Sequence, residues 1–177
     1  DKVDKPESLY AATKKTNELI AHTYSSLYKI KTVGLRFFTV YGPWGRPDMA
    51  YFSFTKSILN DEEIKIFNDG NLERDFTYID DIINGVVKII NTKLERQNLY
   101  EIYNIGNGSP VNLLNFVKIL EKELNKKAIK KFVEMQPGDV NITYSDTKKL
   151  RNDFEFKTSI SFKVGIRKFV KWYKEYY

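Results

Sequence analysis

Arg36-Phe37-Phe38-Thr39-Val40-Tyr41-Gly42-Pro43 is the stretch on which the fold turns. The run from Lys31 to Val40 is rich in Val, Leu and Phe and reads as a strand. It stops in Tyr41-Gly42-Pro43-Trp44-Gly45-Arg46-Pro47, where two glycines and two prolines permit only a loop. Open α/β sheets receive ligands just beyond the carboxyl ends of their strands. Thr39 offers a hydroxyl there. Arg46 closes the loop with a planar fork suited to a carboxylate or a phosphate, the alternative being a solvated loop arginine.

Upstream, Pro6-Glu7-Ser8 starts a long helix that runs to about Tyr28, with Ala12, Leu19, Ile20, Tyr24 and Leu27 at helical spacing. Tyr10 and Lys14 lie four apart on this helix and therefore share a face. An ammonium beside a phenol favours the phenolate, which makes the tyrosine a usable general acid or base. Taken alone, Tyr-x-x-x-Lys is more often a helix surface pair.

Downstream, helices are expected at Ala50–Leu59, from Asp80-Asp81 through Ile90, at Asn112–Asn125, from Asp146 to about Asn152, and after Ser161. Leu113, Phe116, Val117, Leu120 and Leu124 form the buried face of the third, and Ile166, Phe169, Val170 and Tyr173 that of the last. Strands are expected at Glu63–Phe67, Asp75–Ile79, Tyr103–Ile105 and Ile129–Glu134, with turns at Asn68-Asp69-Gly70 and Gln136-Pro137-Gly138-Asp139. Strands alternating with helices argue for an α/β class. Gly42-x-x-Gly45 and Gly106-x-Gly108 read as turns, and the glycine-rich dinucleotide fingerprint is absent. Arg74 is placed to neutralise a diphosphate, with Asp75 as an equally good salt-bridge partner. Phe67 offers a ring for stacking on a base, or simply a core side chain.

The composition narrows the function. The 177 residues carry a net charge of +6, one histidine and no cysteine. Without cysteine there is no disulfide framework or thiolate metal site, and no metal is expected. His22 reads as a packing or surface residue. The lysines are scattered rather than interleaved with rings in the manner of a nucleic-acid platform. A mildly basic protein with an anionic small substrate is the better reading, with no nucleic acid and no membrane partner. No apolar run is long enough to span a bilayer and no signal-peptide pattern opens the chain, so a cytoplasmic protein is expected.

Four motifs stand in register: Tyr10-x-x-x-Lys14, Leu35 to Pro43, Arg74-Asp75-Phe76-Thr77-Tyr78-Ile79-Asp80-Asp81, and Tyr103-Asn104-Ile105-Gly106. Together they resemble the extended short-chain dehydrogenase/reductase family, and within it the nucleotide-sugar epimerases and dehydratases. Ser8 to Lys15, the loop Tyr41 to Ala50, and Met135 to Val140 resemble the UDP-glucuronate 4-epimerases most closely. The resemblance covers essentially the whole chain. It implies the C-terminal part of a Rossmann-type NAD-binding fold plus a smaller mixed α/β substrate-binding domain, with residues 1–48 in the former and 49–177 mainly in the latter, some chain returning to the Rossmann sheet.

It also implies NAD as cofactor and a UDP-sugar as substrate. Tyr10 would be the catalytic base and Lys14 its partner at the nicotinamide ribose. Phe38 would lie beside the cofactor and Thr39 beside the sugar. Phe67 would meet the uracil, Arg74 the diphosphate, and Arg46 the sugar carboxylate. Gln136 and Asp139 complete the substrate set. Gln136 stands where many sugar epimerases carry arginine, a replacement the glucuronate-type enzymes tolerate. The expected reaction is 4-epimerisation of UDP-glucuronate, with UDP-glucose 4-epimerase or a 4,6-dehydratase as the alternatives, and a silent sugar-nucleotide-binding domain as the non-enzymatic one. The family's glycine-rich loop, ribose-reading acid and assisting Ser/Thr have no counterpart in this sequence. The 177 residues alone are therefore expected to be inactive, with Leu35, Phe37 and the inner face of the first helix uncovered. A homodimer through the Tyr10 helix is expected of the intact protein.

Overall fold

The computed structural model describes residues 3–93, 98–136 and 138–177. Pro137, expected in the Gln136–Asp139 turn, lies outside the described residues. Helix α1 (Leu9–Tyr28) is capped by Ser8, whose Oγ accepts from the Ala11 amide at 3.1 Å, and it ends at Lys29 in the left-handed region. Strand β1 (Thr32–Phe37) then leads through Phe38 into β2 (Thr39–Tyr41). The single strand expected over Lys31–Val40 is thus two strands. The break has a tertiary cause. β1 pairs in parallel with β6 (Tyr100–Ile105), whereas β2 pairs in parallel with β5 (Phe76–Tyr78). Phe38 is the pivot: its amide donates to Ile105 O at 3.4 Å, and the next amide, Thr39, donates to Asp75 O at 3.1 Å.

The chain continues through α2 (Ala50–Leu59), β3 (Glu63–Phe67), a tight turn at Asn68–Gly70, β4 (Glu73–Arg74), β5 and α3 (Ile79–Asn91). After β6 come β7 (Val111–Asn112), α4 (Leu113–Leu124), β8 (Ile129–Val133), α5 (Lys148–Phe154) and α6 (Phe162–Tyr176). β3 pairs in parallel with β8, and β4 antiparallel with β7. β6 begins at Tyr100, ahead of its expected start at Tyr103.

Two helix starts differ from expectation. Tyr78 takes the N-cap position of α3 without a side-chain cap bond, and Asp80 and Asp81 stand in its first turn rather than at the cap. Asp81 is buried and instead accepts from the amides of Ser159 and Ile160, each at 3.0 Å, and from Ser159 Oγ at 2.8 Å. Its carboxylate ties the approach to α6 onto α3. α5 begins at Lys148 behind Thr147, and Asp146 accepts the Lys148 amide at 3.0 Å. α4 follows the expected pattern: Asn112 accepts from the amides of Leu114 and Asn115, and Phe116, Val117 and Leu120 are fully buried. Ser161 caps α6, whose Ile166, Phe169, Val170 and Tyr173 are all buried.

Alternation along the strands separates the two faces of the β1–β6 pair. Val33 and Leu35 join Tyr103 and Ile105 in a small core with Ile82 of α3 and Leu150 and Phe154 of α5. The opposite face carries Arg36, which bonds to Glu18 of α1. The larger core lies on the C-terminal side, where Tyr41, Phe52, Phe76, Phe116, Ile166 and Phe169 close on one another. No helix among the described residues is long and apolar enough to cross a membrane.

Candidate active site

Tyr10 and Lys14 emerge on one face of α1, with the Lys14 ammonium 5.2 Å from the centroid of the Tyr10 ring. The Tyr10 side chain is 72% exposed, and neither its phenol nor the Lys14 ammonium has a polar partner among the described residues. Both stand at a groove of about 530 Å³ between α1 and β1, lined also by Glu18, Leu35, Phe37 and Tyr100. Glu18 accepts from Arg36 Nε at 2.6 Å and Nη2 at 2.9 Å. The Arg36 hydrogen bond holds the Glu18 carboxyl below its ordinary range, against the opposing effect of burial. Burial pushes the Tyr100 phenol upward, and its hydroxyl has no hydrogen-bond partner among the described residues. His22 is exposed and packs edge-on against Tyr100.

Phe38 and Thr39 are half-buried at the pivot where the chain changes sheets. What fixes that pivot is Asp75, which sequence reasoning cast as a salt-bridge partner for Arg74. It is not. Asp75 is fully buried, and its carboxylate accepts from the Asn107 amide at 3.1 Å, the Gly108 amide at 2.9 Å and the Ser145 amide at 2.9 Å, and from Ser145 Oγ. The turn after β6 is thereby stapled to the start of β5. Gly106 makes the close approach possible, since a Cβ there would run into Ser145.

Arg74 pairs with Asp139 at 2.5 Å and donates to the carbonyls of Glu73 and Asn141. The Asp139 amide donates to Gln136 O at 3.2 Å. Phe67, half-buried at the end of β3, pairs with Val133, just before this turn. β-pairing thus sets Phe67 beside the strand that leads into the turn, and the ion pair holds Arg74 to the turn's Asp139. Arg46 stands apart from them. It lines a recess of about 360 Å³ with Val40, Tyr41, Tyr51 and Ile79, and its Nη2 meets Asp48 at 2.9 Å on the exposed surface. Burial pushes the phenols of Tyr41 and Tyr51 upward, and Tyr41 donates to Phe162 O at 3.1 Å as a neutral core residue.

The family described as NAD dependent epimerase/dehydratase matches residues 1–106. The chain belongs to that family. This epimerase/dehydratase chain is 50% identical to Protein CapI of Staphylococcus aureus over 100% of its own length and 57% of the relative's. It is 48% identical to UDP-glucuronate 4-epimerase 1 of Arabidopsis thaliana, over 100% of the chain and 44% of that protein. The solved UDP-glucuronic acid 4-epimerase from Bacillus cereus, in complex with UDP-glucuronic acid and NAD, superposes with a TM-score of 0.91 at 37% identity, covering 98% of this chain and 55% of that one. The chain spans about half the length of the curated relatives it matches. The Rossmann-type α/β class and the nucleotide-sugar epimerase resemblance read from the motifs both hold.

Proposed function

We propose that the whole protein interconverts UDP-glucuronate and UDP-galacturonate by NAD-dependent 4-epimerisation. The observation that carries this is the Tyr10–Lys14 pair, exposed on one helix face at a groove with its polar atoms uncommitted among the described residues. The relatives named for UDP-glucuronate 4-epimerisation support the choice of sugar.

An ammonium and a phenol without protein partners among the described residues, beside a groove with apolar walls at Leu35 and Phe37, fit the nicotinamide–ribose end of NAD. When bound, NAD supplies the hydride acceptor and donor that inversion at C4 requires. Tyr10 would take the proton of the sugar 4-hydroxyl and give it back after the 4-keto sugar has turned its other face. Lys14, beside the Tyr10 ring, would donate to a ribose hydroxyl. Phe38 flanks the cofactor and Thr39 the sugar. Phe67, with the backbone of Lys65 and Ile66, receives the uracil. Arg74 binds the diphosphate, with Gln136 and Asp139 at its rim, and Arg46 takes the sugar carboxylate.

On this reading residues 1–48 serve the cofactor domain and 49–177 mainly the substrate domain. The protein works in the cytoplasm as a homodimer. Leu19, Ile20, Tyr24 and Leu27, all more than half exposed along α1, support a dimer through that helix.

The test is turnover of UDP-glucuronate with NAD by the whole protein, followed by NMR, with Tyr10→Phe as control. UDP-galacturonate should form, and the variant should lose roughly 10²- to 10⁴-fold in rate. Its exposed side chain predicts an unchanged fold. Turnover of UDP-glucose but not UDP-glucuronate would remove the carboxylate role of Arg46. An active Tyr10→Phe would remove the assigned base.

A further inference from the structure

We propose that Trp44, held by the aromatic face of α6, is a positioning residue that sets Arg46 for the carboxylate of the sugar. The inference rests on the role given to Arg46 above and adds the device that aims it.

Trp44 has φ +62, in the left-handed region. A bulky residue is strained there and stays only where its surroundings enforce it. The surroundings are on α6. The indole meets Trp172 edge-on with centroids 5.2 Å apart, and Tyr176 edge-on at 4.7 Å. Trp172 stacks on Tyr176 at 5.5 Å and leans on Phe169 of the core at 5.8 Å, so the grip is grounded in rigid structure. Ring pairs at such separations attract beyond the area they bury, and two of them acting on one indole offset the strain.

The loop has no slack on either side of Trp44. A Cβ at Gly42 would come within 2.6 Å of Ile79, and one at Gly45 would overlap the Tyr51 hydroxyl. Arg46 follows immediately, with its guanidinium resting on the carboxylate of Asp48. Both members of that pair are mostly exposed, so the attraction is weak and a carboxylate presented by a ligand can replace it. The ring grip fixes where the exchange takes place. Trp44 shares the wall of the recess with Arg46 but carries no charge to meet a carboxylate. Because its contacts are made through ring edges and 72% of its surface is exposed, its removal should leave the core closed.

The experiment compares UDP-glucuronate with UDP-glucose, which carries a hydroxymethyl group in place of the carboxylate, by calorimetric binding to the whole protein with NAD. Arg46→Met should lower the preference for UDP-glucuronate by roughly tenfold or more. Trp44→Ala should lower it by a similar factor without weakening UDP-glucose, and adding Arg46→Met should cost nothing further. Tyr176→Leu should reproduce the effect from the α6 side, and Trp44→Phe should largely restore the preference. If Arg46→Met abolishes the preference while Trp44→Ala and Tyr176→Leu leave it intact, the positioning role is wrong and the role of Arg46 stands. If Arg46→Met leaves the preference unchanged, the reading beneath it fails as well.

Discussion

The C-terminal region and the α1–β1 region use the same kinds of side chain to opposite ends. Around α4 and α6, Phe116, Ile166 and Phe169 are completely buried and the rings close on one another. Along α1, Ser25 is the one buried residue, while Leu19, Leu27 and Tyr28 are about 60% exposed. The binding candidates Phe67, Arg74 and Asp139 stand on the closed region, and the proposed acid–base pair stands on the open one. Stability and proton transfer should therefore separate under mutation. Phe169→Ala should cost about 3–5 kcal/mol, the usual loss for a large core ring, whereas Leu19→Ala should stay within about 0.5 kcal/mol. Urea unfolding of both variants measures the contrast, and comparable losses would abolish it.

Asp75 sharpens the comparison because it sits on the seam, joining β5, the turn after β6 and Ser145. An asparagine in its place keeps the shape but turns an amide against donors that need an acceptor. Asp75→Asn should cost about 2–3 kcal/mol. It should also raise amide exchange at Asn107 and Gly108 more than anywhere in α4. Uniform exchange across the chain would mean that the seam unfolds with the whole molecule and holds no separate turn in place.

What was legible in the sequence was local. The helix periodicity of α4 and α6, the Ser8 and Ser161 caps, and the Tyr41–Pro47 loop follow from neighbours a few residues apart. The pair Tyr10 and Lys14 was legible for the same reason, being one turn apart on a helix. What was not legible depends on pairing across the chain. The break at Phe38 exists because β6 ends its pairing just where β5 begins to offer its own, and neither strand is visible from residues 31–40. Arg74 chose Asp139, 65 residues away, over the adjacent Asp75. An acid embedded before Phe76-Thr77-Tyr78 is itself a sign of burial, since a strand of that apolarity faces inward, and that sign was available. Trp44 gave no sequence warning of its left-handed backbone, because the rings that enforce it lie on α6.

A smaller effect than the losses at Phe169 and Asp75 concerns the polar tie that holds the open region together. Glu18 accepts two hydrogen bonds from Arg36 and lies 3.6 Å from Lys15. The Arg36 hydrogen bond is the main reason its carboxyl sits below the ordinary value of 4.5; burial opposes the shift, and the Arg36 and Lys15 charges add to it. As pH falls, the unfolded chain takes up the proton first. The pair therefore favours the folded state above 4.5, and its contribution disappears as pH drops through the lower folded value. On the closed region, Glu121 shifts in the same direction: burial raises it, and the Lys130 hydrogen bond with its companions outweighs that. Acid should thus loosen both regions, but Glu18→Gln should act on one. At neutral pH the variant should lose about 1 kcal/mol or less, seen as faster amide exchange in α1 with α4 unchanged. Well below 4.5 the variant and the parent should converge. A difference that persists into acid would show that the introduced amide disturbs packing against β1, and α1 would then be held by shape and not by charge.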